Sequence, residues 1–129
     1  MKKTILPYVA FLLLVPTLFH LSNGCVCAAD HLDIGLPMYP GAKVNPASPP
    51  INAPHMKNLH ILSSDPFQKV LDWYTQKLGK FMIDPQKGGT QALWSKETKD
   101  GVVMTVTISN ISAPAGQVEI TMTKMKVKH

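Results

Sequence analysis

Ser64-Asp65-Pro66-Phe67-Gln68-Lys69-Val70-Leu71-Asp72-Trp73-Tyr74-Thr75-Gln76-Lys77-Leu78-Gly79 is the stretch on which the fold turns. Its first three residues read as a helix start: a hydroxyl or carboxylate accepts from the first free amides, and Pro66 sits where no donor is needed. Phe67, Val70, Leu71, Tyr74 and Leu78 then recur at helical spacing as one apolar stripe, and Gly79 closes the helix. Burying those side chains is worth roughly 1.5–3 kcal/mol each as an upper value. Trp73 falls off the stripe, so it is expected at an edge of the core or partly exposed.

An apolar helix stripe needs a partner layer, and the flanking sequence supplies strands. Upstream, residues 56–63 read as a strand with Leu59 and Ile61 on one face and His60 and Leu62 on the other. Downstream, Phe81-Met82-Ile83 suggests a strand ended by Asp84-Pro85, and residues 90–97 place Leu93 and Trp94 on opposite faces. Asp100-Gly101 is a tight-turn signal. Val102, Met104, Val106 and Ile108 alternate with Val103, Thr105, Thr107 and Ser109, the pattern of a half-buried strand. Val118, Ile120 and Met122 alternate with Glu119, Thr121 and Thr123 in the same way. Lys124, Lys126 and Lys128 continue the parity of the core residues. Either a bulge near Thr123 resets the register or the sheet ends there, and the end of the sheet is the expectation. The fold class is α+β: one principal helix packed on a largely antiparallel sheet of about five strands.

Before this domain, taken as residues 55–129, lies a Pro-rich N-terminal segment, residues 30–54. Pro37, Pro40, Pro46, Pro49, Pro50 and Pro54 exclude a helix there, and residues 45–54 read as a polyproline-like loop. Residues 1–29 have the parts of a signal peptide in order: Lys2 and Lys3, an apolar run from Ile5 to Leu21, then small residues. A spanning helix needs roughly 20 apolar residues, and this run is interrupted by Pro7, Pro16 and His20. Ala28 with Val26, or Ala29 with Cys27, suits signal peptidase. Cleavage after Gly24 is the alternative, and Leu21-Ser22-Asn23-Gly24-Cys25 is similar to a bacterial lipoprotein box whose Cys25 would be lipidated. That box departs from the usual pattern at Ser22 and Asn23. Cys25 and Cys27 are the two cysteines of the chain. Cleavage at Ala28 or Ala29 therefore leaves a domain held by its core alone, which is feasible at this size.

Tyr39-Pro40-Gly41-Ala42, followed after a polar gap by Asp65, Val70, Trp73-Tyr74 and Leu78, resembles small exported bacterial proteins of unknown function. Those carry a YPGA segment, a D-x-x-x-x-V-x-x-[FW]-Y-x-x-x-L helix and a β-rich tail. The likeness runs through most of the mature chain in order, although its motifs are short. It implies an α+β fold and a bacterial envelope location, and it brings no activity, cofactor or catalytic residue.

All 13 basic residues are lysines. Removing Lys2 and Lys3 with the leader lowers the formal net charge from +5 to +3. So modest an excess does not imply a polyanion partner, and without Arg the bidentate recognition of phosphates is lacking, so nucleic acid is not expected. Cys25, Cys27 and His31 could contribute to a soft metal site only if cleavage spared them. No Gly-x-Ser-x-Gly elbow, paired carboxylates or phosphate loop appears, so no catalytic, cofactor or metal residues are assigned. His60, within a strand, reads as a satisfied sheet residue. The expected function is a non-enzymatic envelope module that binds an unknown envelope protein or small ligand. A metal-binding periplasmic protein or a small secreted enzyme is the alternative. The candidate interaction surface is Trp73, Trp94, Lys124, Lys126 and Lys128, with peripheral or lipid-tethered membrane association a second possibility. The bland alternative is that both tryptophans are edge packing and the lysines only solubilise the tail.

Intact mass discriminates the two leader readings. Protein from the soluble fraction of its host is expected to begin at Ala29 or Asp30 and to resist thiol labelling. A membrane species beginning at Cys25 and heavier by acyl chains would instead establish lipidation.

Overall fold

The helix forms where its apolar spacing predicts. In a computed structural model that describes residues 33–111 and 113–127, α1 spans Phe67–Leu78. Val70, Leu71 and Tyr74 are buried, while Phe67 and Leu78 are partly buried against the same core. Gly79 ends the helix at φ 102°, a left-handed conformation open to glycine, and its N–H donates to the Thr75 carbonyl at 3.0 Å. The start differs from the expectation. Pro66 occupies the N-cap and no side chain caps the first amides. Asp65 does not turn back to them because its carboxylate accepts a hydrogen bond from Tyr39 Oη at 2.6 Å.

Seven strands form one sheet: β1 Lys43–Val44, β2 Ile51–Asn52, β3 Met56–Ser63, β4 Met82–Gln86, β5 Gly89–Glu97, β6 Val102–Ser109 and β7 Val118–Lys126. Their order is β1-β3-β7-β6-β5-β4, with β2 also on the β3 edge, and every pairing is antiparallel. Because directions alternate across β3, β7, β6, β5 and β4, the two strands that α1 joins run the same way at opposite sides of the sheet. The connection must therefore carry α1 over the sheet face, which is how one helix comes to cover it. The sheet exceeds the expected five strands because residues 43–44 and 51–52 add short pieces to its edge.

Register decides the core. Val44, Ile61, Ile120, Ile108, Ala92 and Ile83 stand opposite one another in a row across six strands. Leu59, Met122, Val106 and Trp94 form the adjacent row. The middle of each row is fully buried under α1, whereas Ile83 on the β4 edge remains 57% exposed. The opposite face carries Asn58, Thr123, Thr105 and Ser95 in one row and His60, Thr121, Thr107 and Leu93 in another.

Three strand expectations are corrected. β4 runs through Asp84 and Pro85 to Gln86, which an edge strand tolerates because one side of its backbone needs no partner. Residues 51–52 pair with β3 inside the stretch expected to be a polyproline-like loop. β7 continues past Thr123 to Lys126 in unbroken register, Lys124 opposite Met104 and Lys126 opposite Val102. The sheet neither ends at Thr123 nor bulges there. What ends is the apolar run, so Lys124 and Lys126 hold the core parity where burial of the sheet is incomplete.

The described part of the Pro-rich segment belongs to the packed structure, with Ile34 and Tyr39 buried in the core cluster. Tyr39-Pro40-Gly41-Ala42 is a type II turn: Ala42 N–H donates to the Tyr39 carbonyl at 3.2 Å and Gly41 has φ 77°. Residues 1–32 and 128–129, and with them the expected signal peptide, Cys25 and Lys128, lie outside the described residues. Among the described residues, no helix is long and apolar enough to cross a membrane.

Ile120 lies at the centre of the longest apolar row and is fully buried. Ile120→Ala is expected to lower the unfolding free energy by about 2–5 kcal/mol, read as a shift in the urea midpoint with an unchanged slope.

Candidate functional site

The parity that buries Leu59 and Ile61 puts Lys57 on the same face of β3, and likewise Lys96 beside Trp94 on β5. Pairing then brings these lysines to the two on β7. One row runs Lys57, Lys124, Met104, Lys96 across β3, β7, β6 and β5. Lys57 and Lys124 stand directly opposite each other, an arrangement of like charges that costs stability in a sheet. Lys126 lies two residues beyond Lys124 on the same face, and its N–H donates to the His55 carbonyl at 2.9 Å. Among the described residues, Lys69 is the lysine that forms an ion pair, with Asp65. A groove of about 220 Å³ opens at this end of the sheet, lined by Pro54, His55, Lys57, Val102, Lys124 and Lys126. Its charged lining is cationic, so it can attract an anion through several Nζ groups at once.

The two tryptophans serve the interior. Trp94 stands in the core row next to the lysine row, and its indole N–H donates to the Leu78 carbonyl at 3.0 Å, satisfying a free carbonyl at the end of α1. Trp73 packs edge-on against Tyr74, with ring centroids 4.8 Å apart, and against Tyr39 at 5.3 Å. Lys77 Nζ lies 5.5 Å from the Trp73 ring centroid. Of the expected surface residues, Lys124 and Lys126 are brought together and Trp94 borders them, whereas Trp73 belongs to the Tyr39 cluster. Lys57, Lys96 and His55 were not singled out by the sequence. Lysines at core parity in three separate strands were the signal that could have found them, but it needs the register to be read.

Tyr39 is tied into the fold by its hydroxyl. Burial first, and then the hydrogen bond to Asp65, push its pKa up to about 12. The same hydrogen bond, followed by Lys69 3.3 Å away, holds the Asp65 carboxyl below its ordinary value. Burial likewise raises the Tyr74 hydroxyl, which donates to the Pro37 carbonyl at 3.1 Å. On the reverse face, Asn45 Nδ2 donates to Glu119 Oε2 at 2.7 Å, while His60 Nδ1 lies 3.2 Å from Thr121 Oγ1 and 3.6 Å from Glu119 Oε1. These contacts fasten the turn after β1 to the sheet. No three His, Cys, Asp or Glu side chains gather as metal ligands among the described residues; Cys25, Cys27 and His31 lie outside them.

Comparison with known proteins gives no matching family model, no matching curated protein and no matching solved structure. The reading of the site therefore rests on its own chemistry.

The Tyr39–Asp65 pair sets a pH window for stability. Asp65's share is present above its ordinary value of 3.8 and is lost as pH falls through its lowered one. Tyr39's share is complete below its ordinary 10.0 and is lost as pH rises toward about 12. In thermal melts, Tyr39→Phe is expected to lower Tm at neutral pH and to flatten both the acid and the alkaline limb of the Tm–pH curve. Limbs as steep as in the parent would show that other groups set them.

Proposed function

We propose that this protein is an exported, non-enzymatic binding module of the cell envelope, and that what it binds is anionic. The lysine row carries this reading. Two lysines directly opposite each other on neighbouring strands oppose folding, and a bound anion is what would turn that cost into an advantage. Functional sites are the usual place for residues that are poor for stability. The order of a charged run, an apolar run and small residues at the N-terminus supports export. The likeness to exported proteins carrying a YPGA segment supports the same location. Lysine, with its compact charge on a flexible stem, suits a site that accommodates anions rather than one that reads a single planar group.

The test pairs stability with binding. Lys124→Gln is expected to raise the unfolding free energy by about 0.2–1 kcal/mol by relieving the cross-strand repulsion. The same substitution is expected to weaken the binding of inorganic tripolyphosphate in calorimetric titrations. Absence of tripolyphosphate binding by the parent protein, or binding untouched by Lys124→Gln, would remove the lysine groove as the site.

A further inference from the structure

We propose that the lysine end of the sheet docks on an anionic phospholipid bilayer; this rests on the anion-binding reading above and names its partner. The charges are spread out. Neighbouring strands lie about 4.8 Å apart, so the row from Lys57 on β3 to Lys96 on β5 spans roughly 14 Å. Donors for a single phosphate converge on one point. These are laid out along a line, with Lys126 in the next row, and that layout matches a plane of head groups.

Apolar side chains flank the lysines. Met125 lies between Lys124 and Lys126 in β7 and, on the reverse face, is 42% exposed beside Met56 and Val103. Ile51, on β2 at the same edge, is 45% exposed. Lysines whose heads reach the head-group layer, with exposed apolar side chains at the same rim, are the composition of an interfacial surface. Among the described residues, no strand carries an acid on the lysine face at this end, and Asp33 meets Lys57 through its backbone carbonyl. Glu97 ends the reverse-face row of Met56, Met125 and Val103 on β5, two strands away from Met125, and Asp33 and Asp100 sit in the flanking loops.

Lys57 Nζ donates to the Asp33 carbonyl at 3.1 Å, so the first described residue of the chain lies at this rim. Val127 N–H donates to the Gly101 carbonyl at 2.8 Å, placing the exit toward Lys128 on the same rim. Were Cys25 acylated, the tether from it to Asp33 would reach at most about 28 Å and would hold the lysine face toward the lipid. One acyl chain alone anchors weakly, and a basic patch is the second signal that makes such anchoring stable.

The experiment uses the full chain with vesicles of phosphatidylcholine alone or of equimolar phosphatidylcholine and phosphatidylglycerol, scored by cosedimentation. Each lysine near an anionic surface is worth roughly fivefold in affinity, so the variant Lys57→Gln/Lys124→Gln/Lys126→Gln should lose roughly 100-fold of the preference for phosphatidylglycerol. That preference should also vanish for the parent protein at high salt, a readout independent of whether the variant folds. Met125→Gln should weaken vesicle binding and leave tripolyphosphate binding unchanged. A parent protein that binds tripolyphosphate but does not distinguish the two vesicles overturns the bilayer proposal and leaves the anion site standing. One that binds neither overturns both. A triple variant that keeps the full preference places lipid contact elsewhere and overturns the docking face.

Discussion

Everything in this molecule follows from one twelve-residue helix having to cover most of one sheet face. Val70, Leu71 and Tyr74 on α1 share one buried cluster with Leu59, Ile61, Val106, Ile108, Ile120 and Met122. A helix of twelve residues is about 18 Å long and about 10 Å across with its side chains. A strand of nine residues is about 30 Å long. The helix therefore cannot cover the strands from end to end. Along the core parity the fully buried apolar rows give way at one end of the sheet to Lys57, Lys124, Lys126 and Lys96, with Met104 and Val102 among them.

The N-terminal segment compensates for part of that shortage. Tyr39 is delivered by a type II turn and inserts beside Trp73 and Tyr74, with its hydroxyl held by Asp65 at the foot of the helix. One contact thus links the lead segment, the β3–α1 junction and, through the aromatic cluster, Phe81 at the start of the return path. Asp65 gives up the capping role that its position before Pro66 suggests. A buried phenol without a partner would cost more than helix amides left to water. Tyr39, Gly41 and Asp65 are thereby joined in a single structural device.

The reverse face needs no cover because its rows are mostly hydroxyl and amide side chains, which tolerate half-exposure. The β4 edge is the least protected part, with Met82 and Ile83 well exposed and Pro85 interrupting the backbone donors available to another strand. The molecule therefore presents three different surfaces: a polar sheet face, an edge blunted by proline, and a lysine-bearing end.

The amino-acid sequence by itself determined the helix, because Phe67, Val70, Leu71, Tyr74 and Leu78 repeat at a period no strand shares. It also determined β6 and the first part of β7, whose strict alternation fits only a half-buried strand. Both signals are local, read within a dozen residues. The fate of Asp65, the two short edge strands and the continuation of β7 were decided only by tertiary structure. Each depends on a residue that the fold brings beside it: the distant Tyr39 for Asp65, the distant Met104 and Val102 for Lys124 and Lys126, and Asn58 and Lys57, a few residues on, for residues 51–52. The candidate site divides in the same way. Lys124 and Lys126 were legible as lysines at core parity, and Trp73 as lying off the stripe. That Trp94 closes the helix, and that Lys57 and Lys96 complete the cationic face, required the register of four strands. Alternation fixes which side a residue faces, while pairing alone fixes what it faces beside.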